Sequence, residues 1–311
     1  MAIYDVNGNQ ISVGGDSFCI SVKDFGAKGN GTANDTTAIQ NALDSLASTG
    51  GVIHFPCGVY LITSAILFYS NMTLLFDEGS TILQGAAIDN LMRNSITNTV
   101  GNYDGTHDVQ IIGATFDGSN YGSNNTLLGF AHSQRIKVKD CFFKNGHGGW
   151  HDLEINSSKN VLVENCDFSD TRRTGSNGES IQIDDAGASG QYPWDIKIDS
   201  TVCQYVEIKG CYFHDNTISP AIGNHTSASH KFVRVHNCIF DGNTGSRGAV
   251  NFAKVLELDI YDNTFNECTT CIGTEGATYY IHDNRFVNAT TAISGSASVA
   301  HANMINGTYT A

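Results

Sequence analysis

Val161-Leu-Val-Glu-Asn-Cys-Asp-Phe168, Val206-Glu-Ile-Lys-Gly-Cys-Tyr-Phe213 and Val233-Arg-Val-His-Asn-Cys-Ile-Phe240 are one phrase written three times. Its form, apolar-x-apolar-x-x-(Cys/Asn/Ala)-x-Phe, also fits Val109–Phe116, Ile136–Phe143, Leu258–Phe265 and Tyr279–Phe286. The spacings between successive phenylalanines are 27, 25, 45, 27, 25 and 21 residues. Strict alternation at the start of each copy is the signature of a strand with one buried side. One short strand cannot bury that side alone, so copies at irregular spacing predict stacked coils joined by loops of variable length. The phrase therefore predicts one elongated unit built from parallel strands.

Composition agrees with such a stack and excludes several classes. The 311 residues include 33 glycines and only 3 prolines, as suits many turns between paired strands. No apolar run reaches the roughly 18 residues that span a bilayer, so no membrane insertion is expected. The start, MAIYDVNGNQ, has neither a basic nor an apolar leader region, so no signal peptide is visible. A net charge of −14 argues against nucleic acid, which needs clustered Lys and Arg. Four of the nine cysteines (Cys141, Cys166, Cys211, Cys238) hold one repeat position, which predicts a ladder of small buried thiols. No pair of CxxC motifs stands at zinc spacing, Cys268-x-x-Cys271 being alone, so no metal is expected.

Residues 1–20 read as a lead-in and 21–311 as the coil domain. One segment is helical: Asp35 or Thr36 caps a helix over about 35–49 whose apolar face is Ile39, Leu43 and Leu46, ending at Thr49-Gly50-Gly51. An open stack exposes a hydrophobic end, and this helix is placed to cover it. Around it run Val22-Lys-Asp-Phe-Gly-Ala-Lys-Gly-Asn-Gly31, Asn34-Asp-Thr36, Ala38-Ile-Gln40, Gly50-Gly-Val52, Phe55-Pro56 and Gly58-Val-Tyr60. In order and spacing this series resembles the N-terminal signature of the pectate-lyase-like superfamily. The resemblance implies an all-β, single-stranded, right-handed parallel β-helix of the pectin lyase type with an N-terminal capping helix. It also implies company among polygalacturonases, polysaccharide lyases, uronan epimerases and phage tail depolymerases.

The phrase serves as a ruler for the strands that follow each Phe. Aligned by their inward apolar pairs, they place three outward columns: Asp152, Ser180, Ala221, Ala249, Cys271; Glu154, Gln182, Gly223, Asn251, Gly273; and Asn156, Asp184, His225, Ala253, Glu275. Only the coils from 150 to 226 load these columns with ionisable groups. Glu154 and Asp184 are one rung and two residues apart, which puts their Cα atoms roughly 8 Å from each other. A carboxylate pair about 6.5–9.5 Å apart suits an inverting glycosidase. Glu179, just before its strand and beside His151, is a further candidate acid, and Asp185 turns inward or into the bend. The order Asp152/Glu154, Asp184-Asp185, His225, Lys254 resembles that of polygalacturonases, although His225 stands in Gly-Asn-His and no Arg-Ile-Lys follows.

The catalytic candidates are thus Glu154, Asp184, Asp185, Glu179 and His225. Trp150 and Trp194, the only tryptophans, adjoin this patch and offer stacking faces for sugar rings, with Tyr192 beside the second. His151, Asp152, Gln182 and Lys254 join them as substrate contacts, and Arg172 with Arg173 can hold a sugar carboxylate bidentately. Residues 186–203, the largest insertion, read as a wall or lid. His214, His230, His236 and His282 read as solvent-facing. The function these features predict is a glycoside hydrolase acting on a complex polysaccharide. The alternatives are a polysaccharide lyase using His151 or His225 as base, with Ca²⁺ as its cofactor, and a non-catalytic glycan-binding β-helix of a phage tail or adhesin. In the first reading no cofactor is required. The expected setting is extracellular or virion-associated, as monomer or homotrimer.

Overall fold

The computed structural model describes residues 19–119, 121, 124–169, 172–173, 178–186, 196–215, 220–224, 229–274, 278–295, 299–306 and 308–309. Three long parallel sheets wrap around one apolar core. The first, of 11 strands, runs from Cys19–Ser21 to Val299–His301 and holds the alternating part of each phrase. The second, of 12 strands, holds each terminal Phe, and the third, of 9 strands from Ile66–Phe68 to Thr291–Ser294, completes the coil. Successive coils pair in register, for instance Val161↔Val206↔Val233 in the first sheet and Phe168↔Phe213↔Phe240 in the second. These are the stacked coils that the phrase predicts, in the right-handed parallel β-helix that the resemblance implies.

Each conserved letter of the phrase has its own physical task. The phenylalanines from 116 to 286 stack face to face in a single file, with ring centroids 4.6–5.1 Å apart. In the phrase copies the residue before each Cys or Asn turns the chain with a positive φ, and it is Asp, Asn or Gly: Asp140, Asn165, Gly210, Asn237, Asp262 and Asp283; Ala302 does the same before Asn303. Those types enter the left-handed region at least cost. The cysteines beyond the turn are at most 2 % exposed, and their thiols point at carbonyls of the coil below, as Cys166 does at Val138 O. From Asn263 onward the column changes chemistry. There Asn263, Asn284 and Asn303 link coils with amide bonds such as Asn263 Nδ2 to Val235 O (2.9 Å) and Asn284 N to Asn303 Oδ1 (3.1 Å).

The helix runs Thr36–Ser45, shorter than the span expected, because residues 46–49 close in turns. Ile39, Leu43 and Leu46 are buried as expected. Asp35 precedes the helix, yet its carboxylate does not cap it; it accepts instead from Lys28 N (2.6 Å) and Gly29 N (2.8 Å). The helix occupies the third-sheet position of the first coil, against the edge strand Ile66–Phe68. Gln40 closes that edge: its Nε2 donates to Leu67 O (3.1 Å) and its Oε1 accepts from Leu67 N (2.8 Å). One side-chain amide thereby stands in for a missing strand.

Candidate active site on the third sheet

The candidate site lies on the outer face of the third sheet, where Leu153–Asn156, Ile181–Asp184, Ile222–Asn224 and Val250–Phe252 pair in parallel. The register is Glu154↔Gln182↔Gly223↔Asn251 in one column and Asn156↔Asp184 in the next. Glu154 and Asp184 are therefore one rung and two residues apart, as the ruler has it.

The outward face is not an open surface. Asp152, Glu154, Gln182, Asp184 and Glu179 are at most 1 % exposed, and His151 and Asp185 only 5 % and 7 %. Polar groups held this dry need hydrogen bonds, and both oxygens of Glu154 and of Asp184 have them. Thr126 Oγ1 donates to Glu154 Oε2 (3.0 Å) and Asn156 Nδ2 to Glu154 Oε1 (3.0 Å). Gln182 Nε2 donates to Asp184 Oδ2 (3.1 Å) and Asp185 N to Asp184 Oδ1 (3.0 Å).

Glu179 is held differently. Gly223 has no side chain because the next coil lies against it: a Cβ there would strike Asn251 O at 2.2 Å, and it would touch Glu179 Cγ at 3.4 Å. Its carboxyl lies between His151 Nδ1 (3.4 Å to Oε2) and Arg247 Nη1 (3.4 Å to Oε1). Arg247 is fixed in turn by Asn251 Oδ1 (2.9 Å) and Asn224 O (3.2 Å). Burial pushes the Glu179 carboxyl up to about 7; Arg247 pulls it down and Asp184 adds to the rise. It stays half-protonated near neutral pH, the condition for a general acid.

The remaining expectations divide by place. His230 is not solvent-facing but fully buried, because the first-sheet strand His230–His236 begins inside the corner next to Asp184. Its Nδ1 accepts from Cys203 N (3.0 Å), so Nε2 carries the proton, 3.8 Å from Asp184 Oδ1. Burial lowers this imidazole to about 4, against the pull of Asp185. His214, His236 and His282 are only partly exposed and bond to Asp167, Glu207 and Asp259. Trp150 is half-buried in the turn that leads to His151. The strand Arg172–Arg173 pairs with His147–Gly148 beside that turn. Lys254 is exposed in the corner after Phe252, and no bond joins it to the carboxylates among the described residues. His225, Trp194 and Tyr192 lie outside the described residues. Of the insertion, residues 196–203 fold back along the coil: Tyr103 OH donates to Val202 O (2.7 Å) and Ser157 Oγ to Thr201 O (2.7 Å).

Sequence reasoning missed Arg247, Thr126 and the true place of His230. The signal for Arg247 was a glycine. Gly223 and Gly273 interrupt the outward column, and a Cβ on Gly273 would meet Asn251 Nδ2 and Arg247 O at 2.3 and 2.4 Å. A gap in a column marks where a neighbouring loop's residue enters.

A right-handed parallel β-helix carrying a buried carboxylate cluster on its third sheet defines a pectin-lyase-like protein. The chain belongs to the family described as rhamnogalacturonase A/epimerase, pectate lyase-like, whose model matches residues 19–294. It is 33 % identical over 287 residues to the plasmin and fibronectin-binding protein A of Streptococcus pneumoniae, covering 80 % of this chain and 39 % of that protein. It is 25 % identical over 209 residues to the pre-neck appendage protein of Bacillus phage phi29, covering 64 % of this chain and 23 % of that protein. The chain thus spans well under half the length of these relatives. The same fold is seen in the crystal structure of the streptococcal adhesin PfbA (TM-score 0.77, 22 % identity, 93 % of this chain and 80 % of that one). It is seen too in a hyperthermoactive exopolygalacturonase from Thermotoga maritima (TM-score 0.63, 14 % identity, 91 % and 78 %). Among the described residues no helix is long and apolar enough to cross a membrane.

Proposed function

We propose that the chain is a glycoside hydrolase that cuts a complex polysaccharide on the outer face of its third sheet. Glu179 is the acid: it gives its proton to the leaving oxygen as the glycosidic bond breaks. Asp184 or Glu154, each held by two hydrogen bonds, is the ionised partner that takes a proton from the attacking water. The observation that carries this is the contrast in environment, a dry Glu179 raised to about 7 against carboxylates supplied with donors. Environments that separate neighbouring carboxyls assign acid and base. His151 and Arg247 set the acid's charge state, while Trp150, Trp194, His225, Arg172 and Arg173 contact the glycan. These groups are at most 7 % exposed in the case of the carboxylates, so the face must open to admit a sugar. Relatives that are a surface adhesin and a phage appendage support an extracellular or virion-associated setting.

The same burial favours a second reading, in which the cluster only braces a glycan-binding adhesin. Digestion of capsular, pectic and host glycans, with products read by mass spectrometry, separates the readings. New reducing ends that vanish in the Glu179→Gln variant support hydrolysis. An ultraviolet-absorbing unsaturated product marks the lyase. Binding with no product from any glycan in the panel marks the adhesin.

A further inference from the structure

We propose a second glycan-binding surface, on the outer face of the first sheet, that takes a neutral hexose chain and is independent of the carboxylate cluster. Four of the nine large apolar side chains exposed among the described residues, Tyr205, Leu256, Tyr280 and Val299, stand on this one face. Tyr205 and Phe232 are direct neighbours on successive coils, with rings stacked at 4.7 Å and 7°. Two shallow hollows of about 130 and 210 Å³ flank Phe232; Tyr205 and Glu207 line the first, Glu257, Asp259 and Tyr280 the second. Phe232 and Arg234 border both.

The backbone says that these rings are not there for the fold. The first-sheet strands carry a second column of positive φ, at Asp108, Arg135, Asn160, Tyr205, Phe232 and Glu257. In the column before each Cys or Asn every residue but Ala302 is Asp, Asn or Gly, the types that fit. Here two coils in succession place aromatic rings at φ 55° and 56°, where bulky residues are outliers. The rings gain little shelter in return, Tyr205 being 52 % exposed. Strain maintained without burial points to use.

The chemistry of the face selects its occupant. Flat aromatic faces stack on the C–H faces of pyranose rings, and carboxylates and guanidinium bond to vicinal hydroxyls. Glu207, Arg234 and Asp259 alternate in sign along one column, one rung apart. Arg234 is exposed and forms no ion pair among the described residues, so its donors are available. Carboxylates on both sides of it repel a polyanionic glycan, and the neutral sugar remains. A second copy of this chain suits the face less well, because charged residues interrupt the apolar ones at every rung where a stable protein interface has an uncharged centre.

The test is isothermal titration of the full chain with cellopentaose, maltopentaose and mannopentaose, in the wild type and in Tyr205→Asn/Phe232→Asn. Asn is already used at this position in Asn160, so the variant keeps its fold and its melting temperature does not fall. The expected result is saturable binding of at least one pentasaccharide, weakened tenfold or more by the double variant and by Arg234→Ala, and unchanged by Glu179→Gln. Retention of Glu179→Gln binding separates this surface from the third-sheet site, whatever that site does. Binding to none of the three sugars, or equal binding by the double variant, overturns the proposal. So does self-association that the double variant abolishes, which assigns the face to a copy of the chain.

Discussion

Inside the coils from 116 to 286 one residue type recurs, and the phenylalanines lie in a single stacked file. On the outer face of the third sheet of those coils, in the columns through Glu154 and Asp184, the residue changes from each rung to the next. The column through Glu154 reads Glu, Gln, Gly, Asn, Gly, and the next reads Asn, then Asp. The two regions share a backbone and a register, so geometry cannot account for the difference. Repetition is what stacking demands, since each ring must match the one below it. Variation is tolerated only where a side chain is not needed by its neighbour on the next rung. The polar columns are as dry as the aromatic file, yet they are held by bonds that differ at each position rather than by one contact repeated.

The largest effect that would break this comparison is chemical. With Glu179→Gln and Asp184→Asn together, turnover of any glycan the wild type cleaves should fall by about a thousandfold or more, since acid and base each contribute about 10²–10⁴. Both changes keep volume, but Asp184→Asn puts an N–H in place of one of the two oxygens that accept from Gln182 Nε2 and Asp185 N, so the melting temperature should fall modestly while the fold persists. Reducing-end release on the purified double variant is the check; undiminished turnover would remove these carboxylates from the reaction. By contrast, Phe168→Ala should leave the polar face intact and cost about 3–5 kcal/mol in denaturant unfolding, because the ring is fully buried between Phe143 and Phe213. A loss under 1 kcal/mol would mean that the file is not the structural half of the pair.

The aromatic file was legible in the sequence and the polar face only in part, for a physical reason. A stacked side chain repeats its type at each coil, so the phrase at Val161–Phe168 reappears at Val206–Phe213 and can be read as periodicity. The ruler it supplies placed Glu154 opposite Gln182 and Asp184 opposite Asn156. It failed for groups that enter a column from loops. Arg247 reaches Asn251 and Glu179 from the turn before its strand, and no periodicity marks it. His230 failed in the other direction: it opens its first-sheet strand at the corner position that buried Val255 holds in the next coil, and the corner next to Cys203 and Asp184 encloses it.

Glu179 and His230 sharpen the comparison through pH, because burial acts on them with opposite signs. Glu179, raised from 4.5 to about 7, binds more protons folded than unfolded between those values, so it lowers stability as pH rises through that window. His230, lowered from 6.5 to about 4, binds fewer protons folded, so it raises stability as pH rises from about 4 to 6.5. Each is worth about 3 kcal/mol across its window. Between pH 4.5 and 6.5 their slopes offset. Glu179→Gln should uncover the histidine, giving a stability that climbs steadily from pH 4 to 6.5, and His230→Gln should uncover the glutamate with the reverse slope. Urea unfolding at half-unit pH steps measures both; parallel profiles in the three proteins would show that neither group titrates as its surroundings dictate.

The smallest effect lies at the end of the stack, where neither region repeats. The strand Ile66–Phe68 has no coil beyond it, and its Leu67 amide and carbonyl are bonded by Gln40 alone from the helix Thr36–Ser45. Gln40→Ala removes both bonds while leaving Ile39, Leu43 and Leu46 to hold the helix on the core. Two net bonds at about 0.5–1.5 kcal/mol each, partly replaced by water because Gln40 is only half-buried, give an expected loss of about 1 kcal/mol. The amide of Leu67 should lose protection in hydrogen exchange, while amides of the strand Ile181–Asp184, four coils away, keep theirs. Stack stability is carried between neighbouring coils, so a defect at the edge is expected to stay there. If Leu67 keeps full protection, the helix itself shields the edge and Gln40 adds nothing. If Ile181–Asp184 exchanges faster as well, the coils unfold as one body, and the carboxylate face depends on the cap at the far end of the sheet.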